Sequence, residues 1–188
     1  MIRQFLALLL VLVGLTVLVA SALALFWSDT LQQVYAPMLP TIERSGRTPG
    51  DDGVQSVALG TPIGRLEIPR LGLSSVVIEG DGVAALLVGV GHLADTPLPW
   101  QGGNSALAAH RDTFFRPLAG IRPKDVIRFS TADAELEYVV TETMIVEPTD
   151  VEVLDPTMTA TLTLITCYPF DYVGPAPNRF IVRAERRS

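Results

Sequence analysis

The chain has 188 residues, a formal net charge of −6, one cysteine and two histidines. An acidic chain without a basic stripe is excluded as a nucleic-acid binder, and the terminal Glu185-Arg186-Arg187 cluster reads as a solvated end. A lone cysteine excludes an intrachain disulfide; two histidines with no close-spaced ligand pair argue against zinc, no clustered carboxylates are found for calcium, and no metal site is expected.

Phe5 to Phe26 is uncharged and rich in Leu, Val and Ala, behind a short start that contains Arg3. Roughly 20 such residues, rising about 1.5 Å each as a helix, span a bilayer core of about 30 Å. Arg3 on the short leading side and Trp27 at the far boundary predict a signal anchor over residues 5–26. The start, 1–4, then lies in the cytoplasm and the rest outside it, as a single-pass membrane protein. Ala20-Ser21-Ala22 and Ala22-Leu23-Ala24 also fit a cleaved signal peptide, but the apolar run exceeds the usual core of roughly 7–15 residues.

Residues 27–61 are expected to form an extracytoplasmic linker. Pro37, Pro40, Gly46, Pro49, Gly50, Asp51, Asp52 and Gly53 supply turns and leave little apolar periodicity to pack. The remaining 62–188 is long enough for one domain with its own core.

From Ile63 the pattern turns to β. Ile63–Ile68 alternates, and Val76–Ile78 is a second apolar run bounded by turn residues. Val83–Val90 reads as a short helix, followed by a Pro-interrupted loop from His92 to Trp100. Asn104–Ala109 reads as a buried strand and Thr113–Ile121 as a helical turn stopped by Pro123. Asp125–Thr131, Glu135–Val146, Thr161–Thr166 and Arg179–Ala184 complete about seven or eight strands. Many short strands with little helix predict a mainly β fold, a barrel or a sandwich, and periodicity leaves those two tied.

Outside the cytoplasm a lone thiol that acts as a nucleophile needs a base or a cation to support the thiolate. His110, just past the end of an apolar strand, is the better candidate, because His92 lies in a Gly/Pro loop where a surface imidazole is equally well explained. Arg179, at the head of the last strand, would supply a donor for the oxyanion of an acyl intermediate. Each residue taken singly has a plainer reading: a core cysteine, a surface histidine, a salt-bridged arginine. His110-Arg111-Asp112 also mimics the kinase catalytic-loop triplet, but neither the following Asn nor a phosphate loop is present.

Thr163-Leu164-Ile165-Thr166-Cys167, continued by Tyr168-Pro169-Phe170 and Arg179, resembles the T-L-x-T-C signature of sortases, the membrane-anchored cysteine transpeptidases of bacteria. Gly103 to Phe115 is similar to that family's histidine segment, and Gly91-His92 to Pro97 to the loop leading into it. The H-R-D-T-F-F and T-C-Y-P-F forms look most like class D and the related Gram-negative sortases; Ala109 stands where the family pattern has glycine.

The resemblance, from about Ile63 to the end, implies a closed eight-stranded β-barrel with short helices behind one N-terminal transmembrane helix. It also implies Cys167 as nucleophile, His110 as general acid and base, and Arg179 at the oxyanion or substrate backbone. The implied substrate is an L-P-x-T-G-like signal on a secreted protein, passed through a thioacyl enzyme to an amine on a cell-wall precursor or pilin-like subunit, with no cofactor. Thr166, Thr163, Asp112 and His92 complete the expected substrate-binding set, with Asp112 also weighed as an orienter of His110 or a loop cap. Glu147–Thr159 is expected to cover the signal. A hydrolytic cysteine peptidase on the same scaffold and a non-catalytic β-barrel binding module are the alternatives.

Overall fold

Two-residue periodicity in the sequence becomes eight strands: β1 Pro62–Ile68, β2 Leu73–Glu79, β3 Val90–His92, β4 Asn104–Ala108, β5 Val126–Ser130, β6 Glu135–Val146, β7 Thr161–Tyr168 and β8 Asn178–Arg186. The computed structural model describes Gln4, residues 13–19 and residues 57–187. Residues 13–19 are helical; the rest of the expected anchor and nearly all of the expected linker lie outside the described residues. Among the described residues no helix is long and apolar enough to cross a membrane.

The strands close into a barrel in the order β1-β2-β3-β4-β7-β8-β6-β5, with β5 returning to β1. Closure leaves no unpaired sheet edge and resolves the tie between barrel and sandwich. Two of the pairings are parallel, β2 with β3 and β4 with β7. A parallel pair cannot be joined by a tight turn. For β2 and β3 the link is the apolar helix Val83–Val88, which is held close over β2: a Cβ on Gly89 would stand 2.7 Å from the Val76 carbonyl oxygen. The helix stops before Val90, because the last residues of that apolar run are drawn into the sheet as β3.

The interior is filled by alternate residues of nearly every strand, among them Leu66, Ile68, Leu107, Phe129, Tyr138, Leu162, Leu164 and Val182. Burial pushes the Tyr138 phenol up to about 12. The turn expected over Thr113–Ile121 is a 3-10 segment, Arg116–Gly120, started by Pro117 near its head and contributing the buried Leu118.

Arg70, in the turn between β1 and β2, donates through Nε and Nη2 to the two carboxylate oxygens of Asp125 and also through Nη2 to Gly120 O at 2.7 Å. Asp125 is nearly buried and accepts a further bond from the Arg122 N–H at 2.9 Å. The Arg70 bond, then the backbone bond, hold the Asp125 carboxyl below its ordinary range. A lowered carboxyl contributes stability that is present above its unfolded pKa and lost as pH falls through its folded pKa. Urea midpoints of the wild type and Asp125→Asn are therefore expected to differ at neutral pH and to converge as pH drops below about 4. A gap that persists at low pH would refute the ion-pair origin.

Candidate active site

Side chains along β4, β7 and β8 alternate between the barrel interior and its outer surface. Leu107, Ala109, Leu162, Leu164, Val182 and Ala184 belong to the interior. Their neighbours Ala108, His110, Ile165, Cys167, Arg179 and Ile181 accordingly share the outer face. Parallel register matches Ala108 with Ile165, and the Ala109 N–H still donates to Ile165 O at 3.3 Å, so His110 comes level with Cys167. Antiparallel register sets Cys167 directly opposite Arg179. Directly opposed residues carry Cβ atoms about 4.5–5.5 Å apart, so three residues distant in sequence meet on one surface with Cys167 in the middle.

The connection between β6 and β7 decides how much of that surface is open. Its 3-10 turn, Val151–Leu154, is fastened by Asn104, whose Nδ2 donates to Val153 O at 2.9 Å and to Asp155 O at 3.1 Å. Asn104 Oδ1 in turn accepts from Thr163 Oγ1 at 2.7 Å, and Arg183 Nη2 reaches Val153 O at 3.4 Å. The connection thus covers the outer face around Asn104 and Thr163, both fully buried. Beyond it the face opens: His110 is exposed, and Cys167 and Arg179 are half-buried. This shallow surface is bordered by the β6–β7 connection and by the β7–β8 connection, residues 169–177.

The other expected site residues fall into different places. Thr166 points inward, is 2% exposed, and donates to the Ala109 carbonyl at 2.8 Å. It therefore joins the residue before His110 to the residue before Cys167 rather than lining a channel. Thr163 is likewise engaged with Asn104 and closed off from solvent. His92, expected in a mobile loop, instead ends β3 and is 1% exposed. Its Nδ1 lies 2.8 Å from Glu79 Oε2, its partner across the ladder, and its Nε2 lies 3.1 Å from Pro97 O. A buried imidazole with both nitrogens engaged is structural, and the expected substrate contact is withdrawn for these three residues. Asp112 is exposed and meets Arg111 Nε at 3.4 Å, with no bond to His110 among the described residues. Its expected orienting role finds no support there.

Two residues with clear roles were not singled out by sequence. Asn104 fastens the β6–β7 connection, and buried Arg111 reaches carbonyls of the β7–β8 connection. An amide heading a buried strand, and an arginine next to His110, were the available signals.

An open cavity of about 430 Å³ lies at the barrel mouth, lined in part by Arg116, Ile145, Tyr168, Phe170 and Phe180. Tyr168 and Phe180 project to the side opposite Cys167 and Arg179, so this cavity backs the site rather than forming it. Among the described residues there is no group of three or more His, Cys, Asp or Glu that could hold a metal ion.

Residues 66–187, nearly the whole of this barrel, match a family model, the Sortase domain. This chain belongs to the sortase family. It is 36% identical over 128 residues to Sortase D of Bacillus subtilis, covering 68% of this chain and 65% of that protein. This sortase is therefore class D-like and spans about two thirds of that relative's length. Its fold is similar to a Clostridium perfringens Sortase D5 transpeptidase, with a TM-score of 0.64 and 26% identity over 70% of this chain and 82% of that one. A Clostridium perfringens sortase C, solved with a C-terminal cell wall sorting motif, has a TM-score of 0.64 and 29% identity over 70% of this chain and 74% of that one.

Proposed function

We propose that this sortase is a cysteine transpeptidase that cleaves an L-P-x-T-G-like sorting signal and transfers the acyl group to an amine. The observation that carries the reading is the strand register, which sets Cys167 opposite Arg179 and level with His110 on one open face. The Cys167 thiolate attacks the scissile carbonyl, and His110 protonates the departing amine as the thioester forms. An incoming amine then attacks the thioester carbonyl, His110 takes its proton, and the thiolate is released. Arg179 donates to the oxyanion or to the substrate backbone; its Nη1 rests on Asn178 O at 3.1 Å and Ala176 O at 3.5 Å, which leaves donors on the guanidinium for substrate.

A peptide sorting signal as substrate is supported by the sortase C neighbour solved with such a motif. The apolar, uncharged run from Phe5 to Phe26 behind Arg3 supports anchoring in the cytoplasmic membrane with the barrel outside, beside envelope amines such as a cell-wall precursor or a pilin-like subunit.

The test is intact-mass measurement of the full-length chain incubated with L-P-x-T-G-like and L-P-x-T-A-like peptides, with and without an added amine. The expected result is a thioacyl adduct that gives way to an amine-capped product when amine is added. Hydrolysed product alone at saturating amine would favour a peptidase, and no adduct with any signal peptide would sink the reading.

A further inference from the structure

His110 and Arg111 are adjacent yet sit in opposite environments. His110 is exposed, whereas the Arg111 side chain is 7% exposed. A buried guanidinium must find acceptors for its donors or lose the hydration it gave up. Arg111 finds them in the β7–β8 connection: Nη1 donates to Pro169 O at 2.9 Å and Nη2 to Gly174 O at 3.2 Å. The Tyr172 ring lies over the same group, 5.9 Å from centroid to Cζ.

The connection held in this way joins β7, which carries Cys167 next to its last residue, to β8, which carries Arg179 next to its first. Its base is fixed independently: Arg116 Nη1 donates to Phe170 O at 2.8 Å, and Tyr168, Phe170 and Phe180 pack with ring centroids 5.2–6.1 Å apart. Its tip is not. Residues 171–175 are exposed, and Gly174 adopts φ +107°, a conformation strained for a residue with a side chain. Among the described residues, the hydrogen bond reaching residues 173–175 comes from Arg111. The segment that follows the tip carries Ala176 and Asn178, whose carbonyls hold the Arg179 guanidinium.

We propose that Arg111 is a positioning residue of the transpeptidation reaction. By gripping Pro169 and Gly174 it fixes the β7–β8 connection in the shape that holds Arg179 over the Cys167 face. The inference rests on the function proposed above. Lysine keeps the charge but, as a point donor, cannot bridge two carbonyls that a planar fork reaches together.

The experiment compares Arg111→Lys with wild type in the full-length chain, alone and with Arg179→Ala. Arg111→Lys is expected to lower the rate of acylation about tenfold or more with KM changed less than about threefold. Amide exchange should accelerate in 170–177 and not in β4 or β6. In the Arg179→Ala background the same substitution is expected to cost less than about twofold, because its effect passes through Arg179. Unchanged exchange in 170–177, or effects of the two substitutions that multiply, would overturn the proposal. If Arg111→Lys does not fold, Tyr172→Ala removes the cover of the guanidinium from an exposed position. It must then give the same localised exchange and the same dependence on Arg179, or the proposal is wrong. A wild type that forms no acyl adduct would refute the transpeptidase reading instead, a result separable from the exchange data.

Discussion

Replacing Cys167 with alanine is expected to abolish the acyl adduct and lower turnover by about 10⁴-fold or more, because no other side chain in the protein can form the thioester. The loss should be purely chemical. Cys167 is a half-buried, free cysteine on the outer face, so its sulfur fills no core space, and the ladder bonds of β7 to β8 are backbone bonds that alanine retains. Thermal unfolding should therefore shift by no more than an ordinary surface substitution, within about 0.5 kcal/mol. Intact mass with a signal peptide reads the first quantity and calorimetry the second. An adduct that survives in Cys167→Ala would remove Cys167 as the nucleophile.

His110→Ala is the second large effect, expected to lower acylation by about 10²–10⁴-fold, the range of a lost general acid and base. The exposed imidazole makes no side-chain hydrogen bond among the described residues, so the fold should be unaffected. The accompanying signature is a loss of acylation with the urea midpoint unchanged. This separates His110 from His92. His92 is bonded to Glu79 and Pro97 inside the barrel, so His92→Ala should act on stability before it acts on catalysis. An acylation rate unchanged by His110→Ala would exclude it as the acid and base.

Strands with long, clean alternation or β-branched runs were legible in sequence. β6 runs from Glu135 to Val146 as expected, and β4, β5, β7 and β8 lie within about two residues of their expected ends, since packing of alternate residues into one core needs only local pattern. β3 was not legible. Three residues are too few for a period, and Val90 continues an apolar run that suits a helix equally well; only pairing with Val77 to Glu79 makes it a strand. With β3 unrecognised, His92 read as a loop residue, and the carboxylate that meets it across the ladder could not be foreseen. Thr166 adjoins Cys167 and Thr163 lies four residues before it, but burial and long-range partners, the Ala109 carbonyl and Asn104, set what they do.

The composition of the chain and the residues around Cys167 and His110 were enough to name a β domain carrying a thiol, an imidazole and a guanidinium suited to acyl transfer, since residue chemistry and two-residue periodicity are local properties. That these three groups share one face, that Arg111 turns inward beneath the β7–β8 connection, and that His92 is sealed inside were decided only by the barrel. Strand register and loop packing come from contacts between segments tens of residues apart, and closing a sheet forces one register on every strand at once.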